Sequence, residues 1–459
     1  MNHKKIGNTF DKSFYITMLV LALPIALQNL ITSLLNMVDS IMIGRLGEVE
    51  AAAAGLAMQQ FFIFMMFTFG VCSGATIFIA QFWGARNIDG IYRTIGLSLI
   101  GSSFFALIFF VISAFFPEWA LRLFAPNEPE VIRIGADYLR VVSVSYLFTA
   151  ISQPYLTAFR ATEQPRIPLI ASCISLVVNT CINYVLIFGK LGFPALGVKG
   201  AAIATVIARG LELAIVFGIL GRGKNVVAAP FYKLFHHLGG FWRQFIRVTV
   251  PVVLNEGLWG LGASMYSVVF GHMGTVVVAA SNVVTTTQNL VTVFFAGLAS
   301  AAAIMVGKKL GEHEPDEAYQ YAKKLGLLSF FLGIAAGVGL ILLGPVIVQF
   351  YNFSDVVNQC ILDMLGVIGL FCCFKMFNYV NIVGILRSGG DAKFTMYLDV
   401  GSIWLIGVPL VYLAGLVLSL PIRWVAFALV SEEFFKGFVG IIRLKSKKWV
   451  NTIEEQRAA

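Results

Sequence analysis

Residues 24–47 read PIALQNLITSLLNMVDSIMIGRLG, and residues 251–274 read PVVLNEGLWGLGASMYSVVFGHMG. Both stretches start on proline and close on a Gly-x-x-Gly, so Pro24, Gly44 and Gly47 recur 227 positions later as Pro251, Gly271 and Gly274. The same offset returns Gly70, Gly84 and Arg160 as Gly297, Gly311 and Arg387, and carries Ala52, Ala53, Ser73 and Tyr92 onto Ala279, Ala280, Ser300 and Tyr319. The chain is one unit written twice. In a membrane protein such a duplication places a shared site between two halves that move against each other.

Composition identifies the solvent. The sequence is 58% hydrophobic and 12% charged, and its charges collect between apolar stretches of 20 residues or more, each long enough to cross a hydrocarbon core of about 30 Å. Twelve such stretches are predicted, near 14–43, 51–80, 94–115, 133–159, 167–188, 197–220, 245–270, 278–306, 325–349, 358–386, 394–416 and 421–442. The first is too long for a signal-peptide core and has no small-residue cleavage site, so it reads as a retained helix. The expected fold is an all-α integral membrane protein, with twelve transmembrane helices in two parallel six-helix repeats around a central cleft. The halves are expected at 1–220 and 248–459, joined by a basic cytoplasmic linker at 221–247 that runs into the start of the seventh span.

Most of the 33 basic residues fall in the N-terminal tail (Lys4, Lys5, Lys12), the even-numbered loops and the C-terminal tail (Arg443, Lys445, Lys447, Lys448, Arg457). Lys and Arg are retained on the cytoplasmic side, which predicts both termini there, in a multi-pass protein of the cell membrane. The net charge of +9 is therefore a topology signal, and nucleic acid is excluded as a partner because no single basic face with interleaved aromatics exists. The six cysteines lie in apolar stretches without paired metal-ligand spacing, so neither a disulfide nor a metal site is expected.

Polar residues inside the spans carry the functional expectation, because an ionisable group in hydrocarbon needs a partner or a wet cavity. Span 1 holds Gln28, Thr32, Asn36 and Asp39 at spacings that share one helical face. Span 5 holds Ser172, Ser175, Asn179 and Asn183 on another, and span 6 adds Thr205. Hydroxyls and amides of this kind often do no more than join helices; Asp39 needs a cation, a proton or an arginine. With a cytoplasmic N-terminus, Asp39, Asn183 and Thr205 fall in the outer half of the membrane, with Asn179 a turn deeper. One carboxylate with neutral oxygens suits either a hard monovalent cation or an exchangeable proton. In the second half Glu256, Lys375 and Asn378 are the central polar residues, and a contact between Lys375 and Glu256, direct or through water, is expected. Gln28, Asn36, Gln59 and Gln288 are candidates to face a substrate cleft. Asp399, Glu432, Glu433, Lys436 and Glu212 read as cytoplasmic-end residues paired along their own helices.

Several segments resemble the multidrug and toxic compound extrusion (MATE) family over nearly the whole length. These are Pro24 followed by Met37-Val38-Asp39-Ser40 and Gly44-Arg45-Leu46-Gly47, then Ala80-Gln81-Phe82-Trp83-Gly84-Ala85. In the second half they are Pro251 with Glu256, Val306-Gly307-Lys308-Lys309-Leu310-Gly311, and Leu386-Arg387-Ser388-Gly389-Gly390-Asp391. The resemblance implies a secondary active exporter that exchanges sodium ions or protons for amphipathic, often cationic, organic compounds, with no cofactor. It implies a cation site at Asp39, Asn179 and Thr205. Asn183 stands where relatives often have a second acid. Glu256 matches the acid that some relatives place on helix 7, but residues 374–378 (FKMFN) offer no acid on helix 10, so a second cation site of that design is not expected.

The chain is expected to work as a monomer in membrane lipid, with 40 phenylalanines supplying apolar walls and aromatic faces for small organic molecules. A lipid-linked oligosaccharide flippase of related architecture would line its cavity with several Lys or Arg to hold pyrophosphate. A channel needs a continuous selectivity pathway, and an enzyme needs a nucleophile or metal constellation, which the sequence lacks. Export of one specific metabolite is the remaining alternative.

Overall fold

The structure, a computed structural model, describes residues 12–122, 128–223, 225–236, 238–351 and 353–452. Lys4, Lys5, Lys224 and Arg457, which entered the topology expectation, lie outside the described residues. Helices are the form a chain takes where no water can satisfy its backbone, and all regular elements among the described residues are helical. In chain order they are α1 (Lys12–Gly44), α2 (Glu48–Gly84), α3 (Ile88–Phe115), α4 (Pro129–Val142 and Val144–Ala161), α5 (Arg166–Phe188) and α6 (Val198–Gly221). The second set is α7 (Phe241–Met273), α8 (Thr275–Gly311), α9 (Pro315–Gln349), α10 (Asp355–Gly389), α11 (Ala392–Val417) and α12 (Ile422–Lys445). Two short helices, Pro117–Arg122 and Phe231–Leu234, lie between long ones.

Nine of the long helices are each apolar enough to cross a membrane, and the bent α4 pair makes a tenth. The other two, α7 and α12, are long enough but carry Arg243, Arg247 and Glu256, and Glu432, Glu433 and Lys436. The expected single span at 133–159 is two segments bent by 45° at Ser143. There the hydroxyls of Ser143 and Ser145 donate to the carbonyls of Arg140 (2.9 Å) and Val142 (2.6 Å), a back-bonding that bends helices.

The repeat seen in sequence recurs in packing. α1 begins against the second half, with Phe14, Leu21 and Ile25 buried among Phe295, Ala299 and Ala302 of α8, and ends in the first half, where Ile43 packs with Ala54 and Tyr138. α7 does the converse: Phe245, Val248 and Val252 sit against Phe78 and Ile79 of α2, and Val269 and Phe270 in the second half. Pro24 and Pro251 lie within the stretch of each helix that packs on the opposite half. Proline removes a backbone donor and bends a helix there.

Small residues let the halves touch backbone to backbone. A methyl at Gly70 would stand 2.7 Å from Val253 Cα, and one at Gly297 would stand 2.6 Å from Ala22 O and 2.9 Å from Ala26 Cβ. Gly84 rests on the Lys308 carbonyl and Gly311 on that of Gln81. Gly70 and Gly297, Ala26 and Val253, Gly84 and Gly311, and Gln81 and Lys308 are all mates at the 227-residue offset. The interface is thus self-complementary about a pseudo-two-fold axis between α2 and α8.

These contacts close one end of the molecule, that of the α2–α3 and α8–α9 turns. Glu163, at the end of α4, receives both Lys308 Nζ (2.8 and 2.9 Å) and Trp83 Nε1 (3.0 Å), while Gln81 Nε2 donates to Ser388 O at 2.8 Å. At the α7–α8 turn Gly274 adopts φ 111°, a conformation open to glycine and costly for other residues.

Candidate functional site

Asp39 projects from α1 into a pocket of the first half that Asn36, Tyr138, Asn179, Asn183, Thr205 and Arg209 also line. Asn183 Nδ2 donates to Asp39 Oδ1 at 2.8 Å. The Asn179 amide is satisfied when its nitrogen faces the carboxylate: it then donates to Asp39 Oδ2 at 2.7 Å and accepts from Thr205 N at 3.3 Å. Thr205 Oγ1 donates to Ala201 O at 3.0 Å, so its oxygen can still act as an acceptor or ligand. Asn183 Oδ1 is buried without a hydrogen-bond partner among the described residues. A carboxylate, an orphaned amide oxygen and a threonine oxygen are the donor set of a small hard cation, and the carboxylate alone can take a proton.

The cleft candidates are placed differently. Asn36 belongs to the Asp39 pocket. Gln28 is buried within the first half instead of facing a cleft: its Nε2 donates to Ser172 Oγ (2.7 Å), and its Oε1 accepts from Arg160 NH2 (3.0 Å). Ser172 Oγ in turn donates to Glu212 Oε1 (2.7 Å), and Arg209 NH1 pairs with Glu212 Oε2 (3.0 Å). Glu212, expected at a helix end, is therefore fully buried. Gln59 is exposed; its neighbour Gln60 is the buried one and donates to Ser113 Oγ at 2.8 Å. Gln288 accepts from Lys375 Nζ at 2.6 Å.

That last contact corrects the expectation of a direct pair between Lys375 and Glu256. Both line one pocket of the second half, but Glu256 accepts from Arg387 NH1 at 2.7 Å. Arg387 is 1% exposed, and a buried guanidinium needs a carboxylate more than a flexible lysine stem does. α10 carries Arg387 inward through a stretch of wide π-helical turns at Val380–Leu386. Asn378 Nδ2 donates to Glu433 Oε2 and to Glu433 O, both at 2.7 Å. Lys436, buried, lies 2.9 Å from Asp399, 3.5 Å from Glu432 and 3.8 Å from Glu433. Asn255 Nδ2 reaches Asp399 Oδ2 at 3.2 Å. Only the Glu432–Lys436 pair was foreseen, and as an end contact.

The networks of the two halves correspond. Gln28 bonds Ser172 as Asn255 bonds Asp399, and Arg209 stands where Lys436 does, all at the 227-residue offset. The recurrence of Arg160 as Arg387 was the sequence signal that could have found both inward-facing arginines, Arg387 buried and Arg160 partly so. Between the halves, a third pocket is lined by Thr68, Ser73, Thr76, Gln153, Arg160 and Ser300 together with apolar residues of α2, α8 and α10.

A duplicated twelve-helix membrane protein with carboxylates turned inward in its halves and a pocket between them has the make-up of a secondary transporter. The MatE family profile matches residues 24–185 and 251–413. The chain belongs to this family, the multidrug and toxic compound extrusion transporters, and is not an enzyme. An uncharacterized transporter of Bacillus subtilis, YisQ, is 25% identical over 447 residues, covering 96% of each chain. A probable multidrug resistance protein NorM of Thermotoga maritima is 22% identical over 433 residues, covering 94% of this chain and 92% of the relative. Among solved structures, the outward-facing conformation of a multidrug resistance MATE family transporter superposes with a TM-score of 0.86 at 18% identity, covering 99% of this chain and all of that one.

Proposed function

We propose that the protein is an antiporter of the cell membrane that exports small amphipathic organic compounds in exchange for sodium ions or protons. The observation that carries this reading is the Asp39 pocket, where an orphaned Asn183 oxygen and Thr205 complete a donor set for one monovalent cation. Residues 1–220 and 248–459 act as the moving units, with 221–247 as the linker and both termini in the cytoplasm. The closed end then faces the cytoplasm, and the Asp39 pocket lies toward the outside. A cation or proton that binds Asp39 more tightly in one access state shifts the population toward that state, and by reciprocity opposes the exported compound.

The test is export of a fluorescent organic cation from proteoliposomes, driven by an imposed sodium gradient and, separately, by a pH gradient. One of the two should drive accumulation against the compound's own gradient. Equal flux with neither imposed would overturn antiport.

The pocket between the halves supports a second substrate reading. Arg160 is the one charged residue in its described lining, beside hydroxyls and an amide, a surface suited to a carboxylate or other acidic group on a specific metabolite. Competition of organic anions against organic cations in the same assay separates the readings.

A further inference from the structure

Four carboxylates and three cations are gathered in the second half. Glu256, Asp399, Glu433, Lys375, Arg387 and Lys436 line one pocket between α7, α8, α10, α11 and α12, and Glu432 packs beside Lys436. Glu256 is matched by Arg387. Asp399 takes Lys436 and Asn255, and Glu433 takes Asn378 with Lys436 at longer range. Lys375 is held by Gln288. Glu432 has only a share of Lys436, at 3.5 Å, an ammonium already bonded to Asp399.

Its surroundings make that surplus costly. Glu432 is 5% exposed, and its Oε2 makes no hydrogen bond among the described residues. Tyr266 of α7 is 9% exposed, and its hydroxyl, likewise without a hydrogen bond among the described residues, crowds the same spot against Gly407 of α11. With every group ionised the cluster carries one net negative charge inside the protein, and an uncompensated buried charge is strongly unfavourable. The acids do not converge as metal ligands. One proton closes the count. Tyr266 can donate to a carboxylate or accept from a carboxylic acid, so it can serve both states of a group that loads and releases a proton.

We propose that this cluster is a second proton-binding site, carried by Glu432 and separate from the Asp39 pocket of the first half. Uptake adds one proton from water to a Glu432 oxygen; release returns it through the pocket shared with Glu433, Asp399 and Lys436. It uses residues of α11 and α12 in place of the missing acid on α10, and it does not depend on the coupling role given to Asp39.

The experiment is infrared difference spectroscopy on the full-length protein in lipid at neutral pH, reading the deuterium-sensitive carbonyl stretch of a neutral carboxylic acid. The Asp39→Asn protein should retain this band, and adding Glu432→Gln should remove it. Absence of the band from Asp39→Asn, or its survival in the double variant, overturns the proposal. Glutamine is the neutral isostere of the protonated acid, so Glu432→Gln should melt near the parent temperature. Should it fail to fold, Tyr266→Phe leaves every charge in place and must still shift the band frequency; an unshifted band counts equally against the proposal.

Discussion

At the scale of single residues, the two halves treat charge in opposite ways. Asp39 is held by the amides of Asn183 and Asn179, and no ion pair joins it to a cation among the described residues. Asp39→Asn should leave melting temperature and binding of a fluorescent compound near the parent values while gradient-driven export in proteoliposomes is lost; sustained export by the purified variant would refute a coupling role. Glu256, by contrast, is committed to Arg387, whose side chain is 2% exposed. Glu256→Gln leaves that guanidinium unpaired and should cost about 3–5 kcal/mol of stability, whereas Glu256→Gln with Arg387→Met should cost less, because a lone buried charge is worse than none. Denaturant titration of the three variants in detergent checks this, and additive losses would mean the pair is not coupled.

The Asp39 stripe was legible from the chain because one helix face is set by spacing alone: residues three and four apart on α1 and α5 point the same way whatever surrounds them. The partners that Arg387, Asp399 and Lys436 find at shortest range come from other helices, and no spacing encodes a contact between α7 and α10 or between α11 and α12. Those residues looked like end charges because hydropathy locates the border of a span without saying which way a side chain near it turns. Lys375 was misassigned for the same reason. Its depth was right, but the choice between Glu256 and Gln288 depends on where Arg387 arrives.

At the scale of elements, the crossings α1–α8 and α2–α7 depend on glycine where two backbones meet. Gly297→Ala would push a methyl toward the Ala22 carbonyl at 2.6 Å, and overpacking of this kind costs about 1–3 kcal/mol. The mirror change, Gly70→Ala against Val253, should cost a similar amount because the contact is its repeat mate. Melting temperatures of both variants test the symmetry. Gly44 and Gly271, with nothing within 4 Å of an added methyl, serve as controls whose alanine variants should melt within a degree or two of the parent if packing is the cause.

At the scale of the whole molecule, the closed end is held by few polar contacts laid over the glycine seam. Glu163 binds Lys308 across the two halves, and Trp83 steadies it. Glu163→Gln removes the ion pair and keeps the side-chain shape, so it should raise the fraction of molecules open at this end. Spin labels at Asp89 and Gln320, exposed positions early in α3 and α9, should then report a longer distance population. An unchanged distribution would show that the glycine seam alone holds this end shut.

The sequence by itself determined that this chain lives in a membrane, that it is a duplicated set of six helices, and that Asp39 faces inward with amide and hydroxyl company. All three follow from local quantities: hydrophobic length, a constant offset and helical periodicity. Only the tertiary structure decided that the inward-facing arginines belong to the core, that Lys375 and Glu256 take other partners, that Gln28 closes a network and leaves the cleft, and which end of the molecule is shut. Each of these depends on which helices become neighbours. Arg387 meets Glu256 from another helix 131 residues away and Lys436 meets Asp399 from the next one, so the nearest opposite charge is set by packing.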